Sequence, residues 1–270
     1  MVAEGLSIEG VRKGFSHGRQ WAGVLEGVSF EVLPGEIVAI VGGRLGGKTT
    51  LLKLAAGMER PDEGSVSLGS RRLAERRHRS WWARLLGREI VWVGRDGPER
   101  EIVWIDRNGP DFDVEVSKFV GWQLALRGRG RRNAEQAAVR ALEHVGAKEC
   151  VGRRWRELSD WQRVLVGLAG AFAGSPRLVV IDDLLDVDAF GSRATEEASD
   201  LLRSLVEESE PRCGVLMSVS EIESAVLADR VFTLTRKGTL KALSGPLGDD
   251  AEVIPFPSHA KGQGSRGMGS

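Results

Sequence analysis

The chain has 270 residues and balances 38 basic against 38 acidic side chains for a formal charge of zero, so its length suits one α/β domain with an inserted subdomain, or two small domains. Zero net charge excludes a global electrostatic drive toward nucleic acid or an anionic membrane. No stretch approaches the ~18 consecutive apolar residues of a membrane span and no signal-peptide core opens the chain, while Cys150 and Cys213 lie far apart and form no metal-ligand cluster with His, which predicts a reducing compartment and ordinary buried thiols.

In chain order, short strands are predicted over 6–9 and 28–33, closed by a Pro34-Gly35 turn. A strand over 36–41 then runs into Gly42, Gly43, Arg44, Leu45, Gly46, Gly47, Lys48, Thr49 and Thr50, and an apolar helix pattern follows over 50–56. The run fits G-x-x-x-x-G-K-[ST] in the strand–loop–helix setting that a phosphate-binding loop requires, and a Gly-rich turn matching by chance would lack that setting. Glycines let the backbone wrap an anion, so that successive N–H groups and a helix N-terminus point at it. Lys48 is expected to reach the terminal phosphates, and the Thr49 hydroxyl to take one Mg²⁺ coordination position. The loop predicts a nucleoside triphosphate ligand.

A turn over 61–64, a strand over 65–68 and a helix over 71–86, ending at Trp81, Trp82, Leu85 and Leu86, come next. Residues 88–98 (Arg88-Glu89-Ile90-Val91-Trp92 onward) then recur twelve residues later as 100–110, a tandem duplication too short for a solenoid repeat. Two helices fill 115–148 around an Arg-rich loop at 127–132, and another spans 160–173. The run 177–182 is an apolar strand ending in acid, as a buried parallel strand would be. A helix over 193–208, a strand over 215–219, a short helix over 221–228 and a last strand over 230–234 complete an α/β pattern. The Gly/Pro/Ser-rich tail, 246–270, is expected to be disordered. Basic clusters at 71–72, 76–79, 127–132 and 153–154 read as solvated helix ends and loops; no aromatic interleaves the 127–132 run, and no nucleic-acid partner is expected.

Asp182 and Asp183 end the apolar strand. In a P-loop ATPase the first such carboxylate holds Mg²⁺ and the next acid polarises the attacking water. Asp183 is one methylene shorter than glutamate, in chemistry where ~1 Å matters.

The order of elements resembles the ATP-binding subunits of ABC transporters over residues 5–245. Phe15 stands where that family places an aromatic that stacks on adenine, and Leu158-Ser159-Asp160-Trp161-Gln162 stands where it has a Leu-Ser-Gly-Gly-Gln signature. Leu227-Ala228-Asp229-Arg230-Val231 matches a stretch that follows the family's switch loop. Within the family, the stretch before the repeat looks most like the lipoprotein-releasing and macrolide-exporter branch. The resemblance implies an α/β fold: a P-loop NTPase core with a parallel sheet, an N-terminal antiparallel β subdomain and an inserted α-helical subdomain at about 107–157. It also implies ATP and Mg²⁺ as cofactors, with each ATP held between the phosphate loop of one subunit and Ser159 of another in a homo- or heterodimer. A transmembrane permease subunit would dock on the helical subdomain, where Trp81, Trp82, Trp104 and Trp122 line the dock or fill the core. The chain would then be cytoplasmic, peripheral at the inner face of the membrane through that partner.

Four departures from the family fall on catalytic parts. Asp160 and Trp161 replace the signature glycines, Asp183 replaces a catalytic glutamate, Ser220 stands at the switch histidine, and Asp106 and Arg107 occupy the region of an expected glutamine. The predicted function is an ATP-binding, hydrolysing subunit with Lys48 and Asp183 as catalytic residues and Thr49 and Asp182 as metal ligands. The alternative is a non-hydrolysing regulator that dimerises on nucleotide. A P-loop kinase or GTPase is disfavoured, since no guanine-reading Asn-Lys-x-Asp is present.

Overall fold

The computed structural model of the protein describes residues 5–17, 20–73, 101–106, 113–126, 131–184 and 191–243. Its centre is set by short apolar runs: β3 (Ile37–Val41), β6 (Ile102–Asp106), β7 (Leu178–Asp182), β8 (Gly214–Val219) and β9 (Arg230–Leu234). Strands apolar on both faces suit a parallel sheet covered on both sides. They form one in the order β10-β9-β3-β8-β7-β6, where β10 (Leu240–Ala242) runs antiparallel to β9.

Successive side chains of these strands alternate between two cores. Val38, Ile40, Trp104, Val180, Leu216 and Phe232 face one side, where they meet helix α1 (Lys48–Ala55) and the strands β1 (Leu6–His17), β2 (Gln20–Val32) and β4 (Glu63–Leu68). Ala39, Val103, Ile105, Val179, Ile181 and Met217 face the other. There they lie under α2 (Val116–Leu126), α3 (Arg131–His144), α4 (Asp160–Phe172) and α5 (Ser192–Glu207). No helix of the described residues is long and apolar enough to cross a membrane.

Several expectations are corrected. The first two strands are longer than 6–9 and 28–33; they pair as one antiparallel ribbon whose register shifts between Ile8 and Gly14, with Gly10 and Gly27 at positive φ. Arg71–Arg72 is not the start of a helix but β5, paired to β4 beyond a turn at Gly69. β10 follows the strand expected to be last. Of the tryptophans expected to line a dock or fill the core, Trp104 fills the core, 1 % exposed, as that expectation allowed, whereas Trp122 is partly exposed. The second repeat copy supplies β6 at the sheet edge, paired with β7. Trp81, Trp82, the first copy (88–98), Arg107 and the tail 246–270 lie outside the described residues.

The start of β3 is held by a side chain from a distant turn. Asp229 accepts the Ile37 N–H at 2.7 Å and a two-pronged contact from Arg203 of α5 at 3.0 and 3.1 Å. Asp229→Ala would leave the amide and the guanidinium without that acceptor, at a cost of about 2 kcal/mol. The expected drop in melting midpoint is roughly 4–8 °C for a domain of this size, and an unchanged midpoint would remove this role. Cys213 is buried and pushed up to about 12 by desolvation, which keeps it an unreactive thiol.

Candidate functional site

The carboxyl ends of β3, β8 and β7 lie side by side, the edge where open α/β sheets place their ligands. From β3 the chain turns through Gly42 to Gly47 into α1, with Arg44 and Leu45 exposed at the tip and the Gly46 N–H returning to the Gly43 carbonyl at 3.2 Å. Gly47 stands just before the helix at φ 94°, where a β-carbon would lie 2.8 Å from Val24 Cγ1; only glycine fits there. α1 begins with no side-chain cap and no acid in its first turn. Its N-terminal amides and dipole therefore keep their attraction for an anion. Lys48 is buried, and its ammonium donates to the Gly42 and Gly43 carbonyls, the latter at 3.4 Å. The chain thus holds the lysine along the loop it is expected to serve.

Thr49 Oγ1 donates to Asp182 Oδ2 at 2.8 Å, joining the two expected metal ligands across 133 residues of sequence. Asp182 Oδ1 accepts from the Ser218 hydroxyl at 2.7 Å, and the same hydroxyl accepts the Asp183 N–H at 3.0 Å. Asp183 sits at φ 52°, a left-handed conformation that an Asp adopts more readily than most residues. Ser220 donates to Asp183 Oδ1 at 3.3 Å, so the residue at the switch position does meet the expected base. A hydroxyl and a carboxylate that already face each other at hydrogen-bond distance are hard oxygen donors suited to Mg²⁺, which binds through few protein ligands and keeps several waters. The residues present fit that ion.

Phe15 and Ser159 stand outside this bonded group. Phe15, on β1, is half-exposed, and the Lys13 ammonium lies 5.3 Å from its ring centroid. A part-exposed aromatic ring with a cation beside it offers a surface on which a base can stack. Burial disfavours the Lys13 charge, but hydrogen bonds from the ammonium to Asp62 and Glu59, with their charges, raise its pKa above the ordinary 10.5. A raised lysine stabilises the fold fully below its unfolded value and loses that contribution as pH climbs through the folded one. Lys13→Met should therefore lower the urea midpoint at pH 7–9, and the gap to the unaltered chain should close above pH 10.5; a gap that widened with pH would contradict the assignment.

Ser159 caps α4. Its hydroxyl accepts the Gln162 N–H at 3.2 Å while its own N–H donates to Gln162 Oε1 at 3.0 Å, a reciprocal cap that leaves the hydroxyl proton to donate elsewhere. Asp160 is exposed and paired to Arg163 at 2.9 Å, and Trp161 is half-buried against the larger core. Asp106 accepts from Trp104 Nε1 at 3.1 Å. Ser218 escaped the sequence reading; its signal was a lone hydroxyl in the otherwise apolar β8.

A loop of this kind, an acid-ended strand one place removed in the sheet and a two-faced parallel sheet define a P-loop NTPase fold. Residues 25–185 match the family described as ABC transporter, and the chain belongs to that family through its ATP-binding domain. It is 32 % identical over 89 % of its length to the Fe(3+) ions import ATP-binding protein FbpC 2 of Rhodococcus jostii. It is 30 % identical over 86 % to the taurine import ATP-binding protein TauB of Sinorhizobium fredii, covering 78 % of that protein. With the lipoprotein-releasing system ATP-binding protein LolD of Pseudomonas syringae pv. tomato it shares 29 % identity over 85 %, covering 94 % of that protein. Import and lipoprotein-releasing subunits thus match at similar identity, and no branch stands out. The chain spans 62 % of the length of FbpC 2. Among solved structures, the dimeric ATP-binding cassette MJ0796 in a post-hydrolysis state with ADP and Pi superposes with a TM-score of 0.70 at 20 % identity, covering 89 % of this chain and 99 % of that one. The cbiO1 protein of Clostridium perfringens, part of the transporter complex cbiONQ, does so with 0.70 at 19 %, covering 89 % and 88 %. Both likenesses show the fold.

Proposed function

We propose that residues 5–245 form the ATP-binding subunit of a membrane transporter, with a helical subdomain at about 107–157. The observation that carries this reading is the 2.8 Å bond between Thr49 and Asp182, which closes a metal-holding pair beside the phosphate loop. Lys48 and the loop amides bind the terminal phosphates, Phe15 carries the base, and Thr49 with Asp182 orients the cation. Mg²⁺, when bound, supplies charge neutralisation on the phosphates. Asp183 accepts the proton of the attacking water. Ser159 donates to the nucleotide held by a second subunit, so two subunits, alike or different, enclose each ATP. A permease subunit docks on the helical subdomain and keeps the chain at the inner face of the membrane. The names of the relatives support this arrangement; they point to both import and release, and leave the cargo open.

A second reading has its own support. Asp160 presents an exposed carboxylate at the start of α4, and Ser220 offers a weak hydroxyl contact to Asp183 where a histidine would bring a titratable ring. Slow or absent hydrolysis follows, as in a regulator that dimerises on nucleotide. ATP binding and Mg²⁺-dependent turnover, measured side by side on the purified chain, separate the two: binding without turnover favours the regulator, and absence of binding removes both.

A further inference from the structure

We infer that Ser218 is a positioning residue for the metal-holding carboxylate, an inference that rests on the nucleotide-binding reading above. β8 lies between β3 and β7, so position 218 is flanked by Ile40 on one side and Asp182 on the other. Its side chain is 1 % exposed, in a strand whose every position is buried. A hydroxyl in such a place must find partners, and Ser218 finds two that both belong to the site. It gives its proton to Asp182 Oδ1 at 2.7 Å and takes the Asp183 N–H at 3.0 Å.

The consequence is geometric. A carboxylate on a one-carbon stem turns freely about its last bond, but here Oδ1 is tied to β8 and Oδ2 is the oxygen turned to Thr49. Ser218 therefore fixes the rotation of the Asp182 carboxylate, with one oxygen held on β8 and the other toward the phosphate loop. The same hydroxyl holds the Asp183 amide while that residue takes its left-handed turn, and so fixes the direction in which the chain leaves the strand. Second partners of this kind orient metal ligands, and their loss commonly weakens metal affinity by about 10–100-fold. A serine that merely satisfied itself in the core would leave metal affinity untouched.

The test is Mn²⁺ binding followed by electron paramagnetic resonance in the presence of ATP, beside the affinity for a fluorescent ATP analogue in EDTA. Ser218→Ala should weaken Mn²⁺ by about tenfold and leave the metal-free nucleotide affinity unchanged. Ser218→Thr, which keeps the hydroxyl, should restore Mn²⁺ binding. Ser218→Cys, similar in size but a poor hydrogen-bonding group, should behave as the alanine variant, and it carries the test if alanine prevents folding. Unchanged Mn²⁺ affinity in a folded variant, or equal losses with and without metal, overturns the role of Ser218 alone. An unaltered chain that binds no nucleotide under either condition overturns the nucleotide-binding reading itself, and this inference with it.

Discussion

Lys48→Ala is expected to remove nucleotide binding at micromolar ATP, and with it any Mg²⁺-dependent turnover. The ammonium is buried along the loop, on the Gly42 and Gly43 carbonyls, and those contacts pre-order it beside the turn that would hold the phosphates. Charge-assisted bonds to phosphate contribute about 1.5–3 kcal/mol each. Loss of two of them corresponds to roughly 100-fold or more in affinity. The fold should survive, because α1 is held mainly by Leu51, Leu52 and Leu54 in the core. Isothermal titration with ATP, beside phosphate release and a melting curve, checks all three statements. If the variant binds ATP as the unaltered chain does, the loop is not the site.

Asp160→Gly should strengthen ATP-dependent dimerisation by about tenfold. Asp160 is the first residue of α4, exposed, and neutralised locally by Arg163 at 2.9 Å. Facing a phosphate on a second subunit, a carboxylate ~5 Å away repels each unit of charge by about 3 kcal/mol at an effective dielectric near 20. Solvent and the Arg163 partner screen much of this, which leaves roughly 1–2 kcal/mol to be gained. The gain should shrink as salt is raised. Trp161→Gly is different in kind: its half-buried indole packs on the larger core, so its removal should lower stability even where it eases approach to the phosphate. Sedimentation of the chain with ATP at two salt concentrations reads the effect. No change in dimer affinity would mean that α4 does not face the nucleotide of a second subunit.

The parts of this molecule that the sequence exposed are those where one physical rule acts alone. β7 is a continuous apolar run ending in Asp182, a pattern that suits a strand buried on both faces and not an amphipathic helix. The phosphate loop is a local backbone motif, so its residues were legible together. The N-terminal ribbon was half-hidden because Gly10 and Gly27 at positive φ, and bulges between Ile8 and Gly14, break the period-two alternation that marks a strand. Arg71–Arg72 was misread because a two-residue strand has no periodicity and exists only through its pairing to β4. Ser218 as a site group and Asp229 as the anchor of the β3 start were illegible because their partners lie far away in sequence: 36 residues to Asp182 and 192 to Ile37.

The contrast between the two helix starts has a thermodynamic consequence. α4 carries its own cap in Ser159 and Gln162, whereas α1 has none. An anion at α1 would complete that helix, so ligand concentration becomes a variable of the fold as well as of the chemistry. At one hundred times the dissociation constant, binding adds about 2.7 kcal/mol to the stability of the native state. The cellular nucleotide pool, and any phosphate that competes with it, would then set how long the domain resists unfolding and proteolysis.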